Sequence, residues 1–266
     1  AASDVYKRQG LFCVAMATWF SPYFDDEFFF MLCVMMNSQL VIVGMIAVTE
    51  EDFLSRRIRK SISEKGFMRF LLAPFLPGGS RGMIFLILSL LICFGLQLLT
   101  AAQLASSSSM SRREVDTFFR FLLCFGCYIL IYLGFASAIA RISYKVTGNI
   151  QPNHVRVGTL VLFGIGCLLP MIAKVLEFLD WRSYSLFEII NPFTTLMEVT
   201  DNNGWSMIIL IILGIAALMI FLFNLKAMLL SWREILTLPK SGLGKSIAVT
   251  PFQMPDESPD IGTVEG

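Results

Sequence analysis

Charge is what this sequence has least of. Asp, Glu, Lys and Arg make up 15% of its 266 residues, where a water-soluble domain carries about 25%. Histidine is nearly absent, His154 being the single one. One imidazole builds neither a catalytic triad nor a histidine-rich metal centre, and no Cys, Asp or Glu stands near His154 at ligand spacing. Net charge is +1, which argues against a nucleic-acid binder, whose affinity rests on many phosphate-neutralising cations. The six cysteines (Cys13, Cys33, Cys93, Cys124, Cys127 and Cys167) all lie in apolar stretches, where a thiol behaves as a small hydrophobe. Cys124-x-x-Cys127 has the spacing of half a zinc or redox motif. It falls inside an apolar run, and the second ligand pair is missing. No catalytic, cofactor-binding or metal-binding constellation is present, so the chain is not expected to be an enzyme.

What is present is hydrocarbon. The composition is 56% hydrophobic, with a mean hydropathy of +0.70. Five apolar runs carry it: Phe28–Val48, Met83–Ala102, Thr117–Ala140, Val157–Leu176 and Ser206–Leu225. Each has the length a helix needs to cross a hydrocarbon core of about 30 Å. A shorter apolar piece, Leu11–Tyr23, precedes them. It reads as a first helix that has lost residues, or as a short interfacial segment. Residue 1 is not Met, and Ala1–Gln9 is polar and unlike the apolar chain after it; residues 1–9 read as a non-native leader. The expected fold is all-α: a polytopic membrane bundle of five full transmembrane helices plus a truncated N-terminal one. The expected spans are about 11–24, 28–48, 83–102, 117–140, 157–176 and 206–225. They form one transmembrane domain over 10–238, with a flexible tail over 239–266.

The loops give an orientation. Lys and Arg gather on the cytoplasmic side of membrane proteins. Thr49–Gly82 holds Arg56, Arg57, Arg59, Lys60, Lys65, Arg69 and Arg81, whereas Asp25–Glu27 is purely acidic and Glu177–Trp205 holds only Arg182. With Thr49–Gly82 inside, the inner segments carry fourteen basic residues and the outer ones three. The expectation is a multi-pass protein of the plasma (inner) membrane with a cytoplasmic C-terminus. Trp181 and Trp205 flank outer helix ends and Trp232 lies just past an inner one, as interfacial aromatic belts require.

Two loops have internal structure. Thr49-Glu50-Glu51-Asp52 offers an N-cap with acids in the first turn. Phe53, Leu54, Ile58 and Ile62 then recur near helical spacing among Arg56, Arg57, Arg59 and Lys60. That pattern reads as a basic amphipathic helix on the inner leaflet, available to anionic lipid or a cytoplasmic partner. Leu76-Pro77-Gly78-Gly79 turns the chain into the next span. Outside, Glu177–Trp205 is too apolar for a solvated loop. It is broken at Asn191-Pro192, so two short helices dipping into the outer interface are expected, with Pro192 in the first turn of the second.

Polar residues within the runs are few. Arg120 is expected to snorkel outward, and Lys174 to pair with Glu177. Asn37, Ser38, Gln39 and Gln97 serve either interhelical hydrogen bonds or the lining of a polar path. Gly134-x-x-x-Ala138 and Gly158, Gly164 and Gly166 allow close helix packing, and Pro170 is placed to kink its helix. In the tail, Pro239–Ser246 nearly matches a phosphate-binding loop. Its first glycine is replaced by Pro239, and the motif has no strand–turn–helix context. ATP hydrolysis is therefore not expected from this chain.

Taken together, RRIR at Arg56–Arg59, FLLAPFLPGGSR at Phe70–Arg81 and NPFTTLMEV at Asn191–Val199 resemble stretches of the permease subunits of bacterial ABC type-2 transporters. The resemblance covers roughly Thr49–Glu234 and suggests a C-terminal fragment. It implies transport powered by a separate ATP-binding subunit and a homo- or heterodimer with another permease, with membrane lipid as surroundings and no nucleic acid. It places the contact for the ATP-binding subunit at Glu51–Ser63, with Glu51, Arg56, Arg57, Arg59 and Lys60 as its polar residues. It makes Asn37 and Gln39, with Gln97, the candidates for a translocation path. The very short Asp25–Glu27 hairpin and the abbreviated first helix depart from the family pattern. Two other readings stay open: a membrane scaffold or assembly protein without transport activity, and an intramembrane enzyme, for which the chain lacks convergent acids, histidines or a nucleophile.

Overall fold

A computed structural model describes residues 26–50, 66–106, 111–147, 151–176, 184–201 and 205–237. Leu11–Tyr23, the basic helix expected at Glu51–Ser63 and the tail lie outside the described residues. Among the described residues there are seven α-helices: α1 (Asp26–Val48), α2 (Gly66–Leu72), α3 (Gly79–Ser106), α4 (Arg112–Thr147), α5 (Pro152–Val175), α6 (Pro192–Thr200) and α7 (Ser206–Leu236). Two 3-10 turns, Ala73–Phe75 and Leu186–Ile190, precede α3 and α6, and no strand occurs among the described residues. The fold is all-α. The five long helices α1, α3, α4, α5 and α7 are apolar and long enough to cross a membrane, so the chain is a multi-pass α-helical membrane bundle.

The helices overrun the apolar runs. α4 has 36 residues and α7 has 31, or about 54 and 46 Å at 1.5 Å per residue. Apolarity marks the hydrocarbon depth, but backbone hydrogen bonding continues through the headgroup layer because nothing breaks it there. α4 is the central mast. It packs most extensively on α7 and also touches α1, α3, α5 and α6. In lipid no hydrophobic force separates helix from helix, so close approach and interhelical hydrogen bonds must hold the bundle. The packing fits that rule. Met36, Leu40, Met83, Leu86, Leu90, Ile129, Leu133 and Met228 form the main core between α1, α3, α4 and α7. A Cβ on Gly134 would stand 2.5 Å from Ile220 Cγ2, so the α4–α7 approach requires that glycine, as the Gly134-x-x-x-Ala138 pattern predicts. At Gly158 and Gly164 a Cβ would meet nothing within 4 Å. Of the three α5 glycines only Gly166 is packed, against Tyr132 and Ile190.

The turn into α3 is built as its sequence implies. Gly78 has φ 132°, a left-handed conformation suited to glycine, and Pro77 precedes it. The Gly79 N–H donates to the Glu50 carbonyl at 2.8 Å, tying the start of α3 to the end of α1. Thr49 follows α1 directly and is buried. Its hydroxyl donates to the Met45 carbonyl at 2.7 Å and accepts from Arg156 Nε at 2.9 Å.

Candidate functional site

Of the polar residues that sequence reasoning singles out, Asn37 and Gln97 are brought together. Asn37 and Gln97 are both buried and face each other between α1 and α3. Asn37 Nδ2 donates to Gln97 Oε1 at 3.4 Å, and Gln97 Nε2 returns a bond to Asn37 Oδ1 at 3.3 Å. Each amide thus answers the other, as interhelical glue does. Gln39 and Ser38 lie on the exposed side of α1, away from that pair. Ser38 Oγ donates back to the Val34 carbonyl at 2.8 Å. Glu51, Arg56, Arg57, Arg59 and Lys60 lie outside the described residues.

A polar cluster that sequence reasoning only partly reaches forms at the break before α6. The chain descends from Ser185 through the 3-10 turn Leu186–Ile190, turns at Asn191 and climbs back as α6. Its vertex meets Tyr128 and Tyr132, near the middle of the α4 apolar run, and Gly166 and Cys167, near the middle of the α5 run. Tyr128 and Tyr132 hydroxyls donate to the Ile189 and Ile190 carbonyls, at 2.5 and 3.0 Å. Asn191 caps α6 by accepting from the Phe193 N–H at 3.0 Å, and its Nδ2 donates to the Cys167 carbonyl at 3.0 Å. A five-residue 3-10 turn and the short helix α6 stand where two short helices are expected, with Pro192 in the first turn of the second. They form a re-entrant hairpin that reaches mid-bundle rather than resting at the surface. Irregular backbone is tolerated at that depth because it is buried in protein with its polar groups satisfied.

Glu188 anchors this hairpin. It is 2% exposed. Its Oε1 accepts the Ser185 N–H at 3.0 Å and its Oε2 meets Lys174 Nζ at 2.9 Å. Lys174 thus reaches across to Glu188; Glu177, its expected partner, lies outside the described residues. The Glu188 carbonyl accepts Thr195 Oγ1 at 3.1 Å, and Thr195 Oγ1 shares a hydrogen bond with the Tyr184 hydroxyl at 2.9 Å. Burial pushes Tyr184 up to about 12, so its hydroxyl keeps its proton at physiological pH. Arg120 pairs with Asp116 on its own helix at 2.8 Å, an outward-directed contact consistent with snorkelling.

The other end of the bundle is closed by a second set of bonds. Arg156 of α5 and the Tyr144 hydroxyl of α4 both bond to Thr49, the latter at its carbonyl at 2.8 Å. Arg141 Nη2 of α4 donates to Asn224 Oδ1 of α7 at 2.6 Å, and Asn224 Nδ2 donates to the Gly134 carbonyl at 3.2 Å. α1 and α5 are joined there, but farther along they are separated by an apolar cavity of about 190 Å³ lined by Val41, Met45, Tyr128, Thr159, Phe163 and Phe193. A second cavity of about 500 Å³ lies between α4, α5 and α7 against Ile189 and Ile190. No group of three His, Cys, Asp or Glu able to hold a metal occurs among the described residues. Cys124 and Cys127 are buried in the packing between α4, α6 and α7. Among the described residues the arrangement supplies helices positioned by polar bonds at two levels of the bundle. Comparison with protein-family models, with curated proteins and with solved structures found no match.

Proposed function

We propose that this chain is the membrane-spanning permease subunit of a transporter of the ABC type-2 kind, working with a separate ATP-binding subunit and a second permease protomer. The observation that carries the reading is the unfinished side of the bundle. α1 and α5 flank one groove beside α4, and among the described residues both present largely exposed faces. On α1 that face includes Met31, Met35 and Ile42 with the polar Ser38 and Gln39. α5 is the least buried of the five long helices. Inside the protomer Asn37 and Gln97 are spent on each other, so a polar path fits better between two protomers than through one. Gln39 stands on the side such a path would use. The re-entrant hairpin before α7 supports the same reading, because it gives the outer half of the groove a floor held by polar bonds.

The sealed interior also suits a non-transporting scaffold, and one experiment separates the two. The full chain is purified from native membranes in mild detergent, and Gln39→Cys is probed with a water-soluble thiol reagent in intact vesicles. A permease brings an ATP-binding subunit with it, and Cys at 39 is labelled. A scaffold gives no such subunit and leaves position 39 unlabelled, facing lipid.

A further inference from the structure

We propose that the slot between α4, α5 and α7 is a binding site for one acyl tail of a membrane lipid, drawn from the leaflet at the Thr49 end. The site is independent of the permease reading. Its volume is about 500 Å³. Ile131 and Phe135 of α4 form the back, Leu162 and Ile165 of α5 one wall, and Ile212 and Ala216 of α7 the other. Ile189 and Ile190, at the vertex of the hairpin, close one end.

The slot exists because α5 is fastened by its ends. Arg156 ties it to Thr49 at 2.9 Å. Toward its other end Lys174 meets Glu188 at 2.9 Å, and Asn191 holds the Cys167 carbonyl at 3.0 Å. Between these ties α5 packs on α4 and on the turn Leu186–Ile190, but among the described residues it makes no extensive contact with α7. The gap between the two helices is the mouth. Leu162, Ile165 and Ile212 on its rim are exposed, so the slot is continuous with the face that the bundle turns to lipid.

The lining selects a tail rather than a headgroup. It carries no charged side chain, and its three polar ones are already bonded. The Tyr128 and Tyr132 hydroxyls donate to the Ile189 and Ile190 carbonyls, and the Thr159 hydroxyl donates to the Val155 carbonyl at 2.8 Å. Apolar cavities of this kind stay dry. Left empty, their walls forfeit dispersion contacts on the open side, and hydrocarbon restores them. The width excludes a helix. Thr159 and Leu169 stand about 15 Å apart along α5, so the volume corresponds to a cross-section of about 33 Å². A helix with its side chains is about 10–12 Å across, or about 80–110 Å².

Depth selects the leaflet. α4 and α7 end, and α5 begins, at the Thr49 end. The apolar runs stop there at Ala140, Leu225 and Val157. Measured from those residues, the lining of each helix starts at about 3–8 Å and stops at about 18–20 Å. Half of a hydrocarbon core is about 15 Å. The slot therefore covers the depth of one leaflet, and the hairpin vertex blocks it just past the midplane.

The test uses the full chain in phosphatidylcholine nanodiscs doped with a phosphatidylcholine that bears a photoactivatable diazirine in its tail, either beside the ester or at the methyl end. Adducts are located by peptide mass spectrometry. Leu91, exposed on α3 and about 12 Å into its apolar run, measures ordinary lipid contact at the same depth. The methyl-end probe is expected to mark Ile189, Ile190 and Leu213 several-fold above that measure, and the ester-side probe to mark Phe135 and Ile220 in similar excess. A216W and L162W fill the slot from opposite walls, and each is expected to remove the excess while leaving the α3 adducts unchanged. Adducts no more frequent than at Leu91, one pattern from both probes, or an excess that survives both variants overturns the proposal. An excess that appears only with a phosphatidylglycerol probe also overturns it, because a headgroup and not a tail is then recognised.

Discussion

Asn37 and Gln97 illustrate how little a residue's type says about its use. Both are amides within apolar helices, and from the sequence each suits a polar path as well as a hydrogen bond. The geometry decides between these uses inside the protomer, because each amide is donor and acceptor to the other at 3.3–3.4 Å. Those distances are at the long end of the useful range, so the pair is weak glue. Double-mutant cycles of interhelical hydrogen bonds in membranes average about 0.6 kcal/mol and reach about 1.7. We expect the cycle Asn37→Leu, Gln97→Leu and the double variant, read by unfolding in mixed micelles, to give a coupling within that range. Zero coupling would mean that the amides answer to water or substrate rather than to each other. Gln39 is indistinguishable from Asn37 by composition. Two residues along a helix rotate a side chain by about 200°, which carries Gln39 to the opposite side.

At the scale of elements, the hairpin between Ser185 and Thr200 was half legible. The apolar composition, the break at Asn191-Pro192 and the first-turn proline marked two short helices. Their depth was hidden, because the groups that hold the vertex come from Tyr128 and Tyr132, some sixty residues back in the chain. Lys174 is the same lesson. Local spacing nominates Glu177, which lies outside the described residues; the fold-back of the chain brings in Glu188, whose carboxylate is also fixed by the Ser185 N–H. Burial decides what the Lys174–Glu188 pair is worth. Breaking a buried pair by removing one partner costs about 3–5 kcal/mol, whereas replacing both by apolar groups is often neutral. Glu188 is 2% exposed and Lys174 15%, so the lower end applies. K174M should therefore lower stability by about 3 kcal/mol, and K174M with E188L should recover most of it. Thermal unfolding in detergent reads both. If the double variant is no better than the single one, the pair is not what holds the hairpin.

For the whole molecule, the described helices share one axis of polarity, and a single labelled end orients all of them. The end of α1, the start of α3, the end of α4 and the start of α5 are tied together through Thr49, Glu50, Tyr144 and Arg156. α7 ends on the same side, because Phe70 and Ala73, just before α3, meet Trp232 and Ile235 in its last two turns. The opposite end gathers Arg113, Thr117, Thr200 and Asp201 around one cleft of about 520 Å³. From the distribution of Lys and Arg we expect the Thr49 end to face the cytoplasm. His154 and Asp201 are exposed at the two ends and serve as reporters. In intact cells D201C should react with a membrane-impermeant maleimide, and H154C should react only after permeabilisation. The opposite pattern would turn the basic segment between α1 and α2 away from the cytoplasm. An ATP-binding subunit could then not reach Glu51–Ser63, and the permease reading would fail with the orientation.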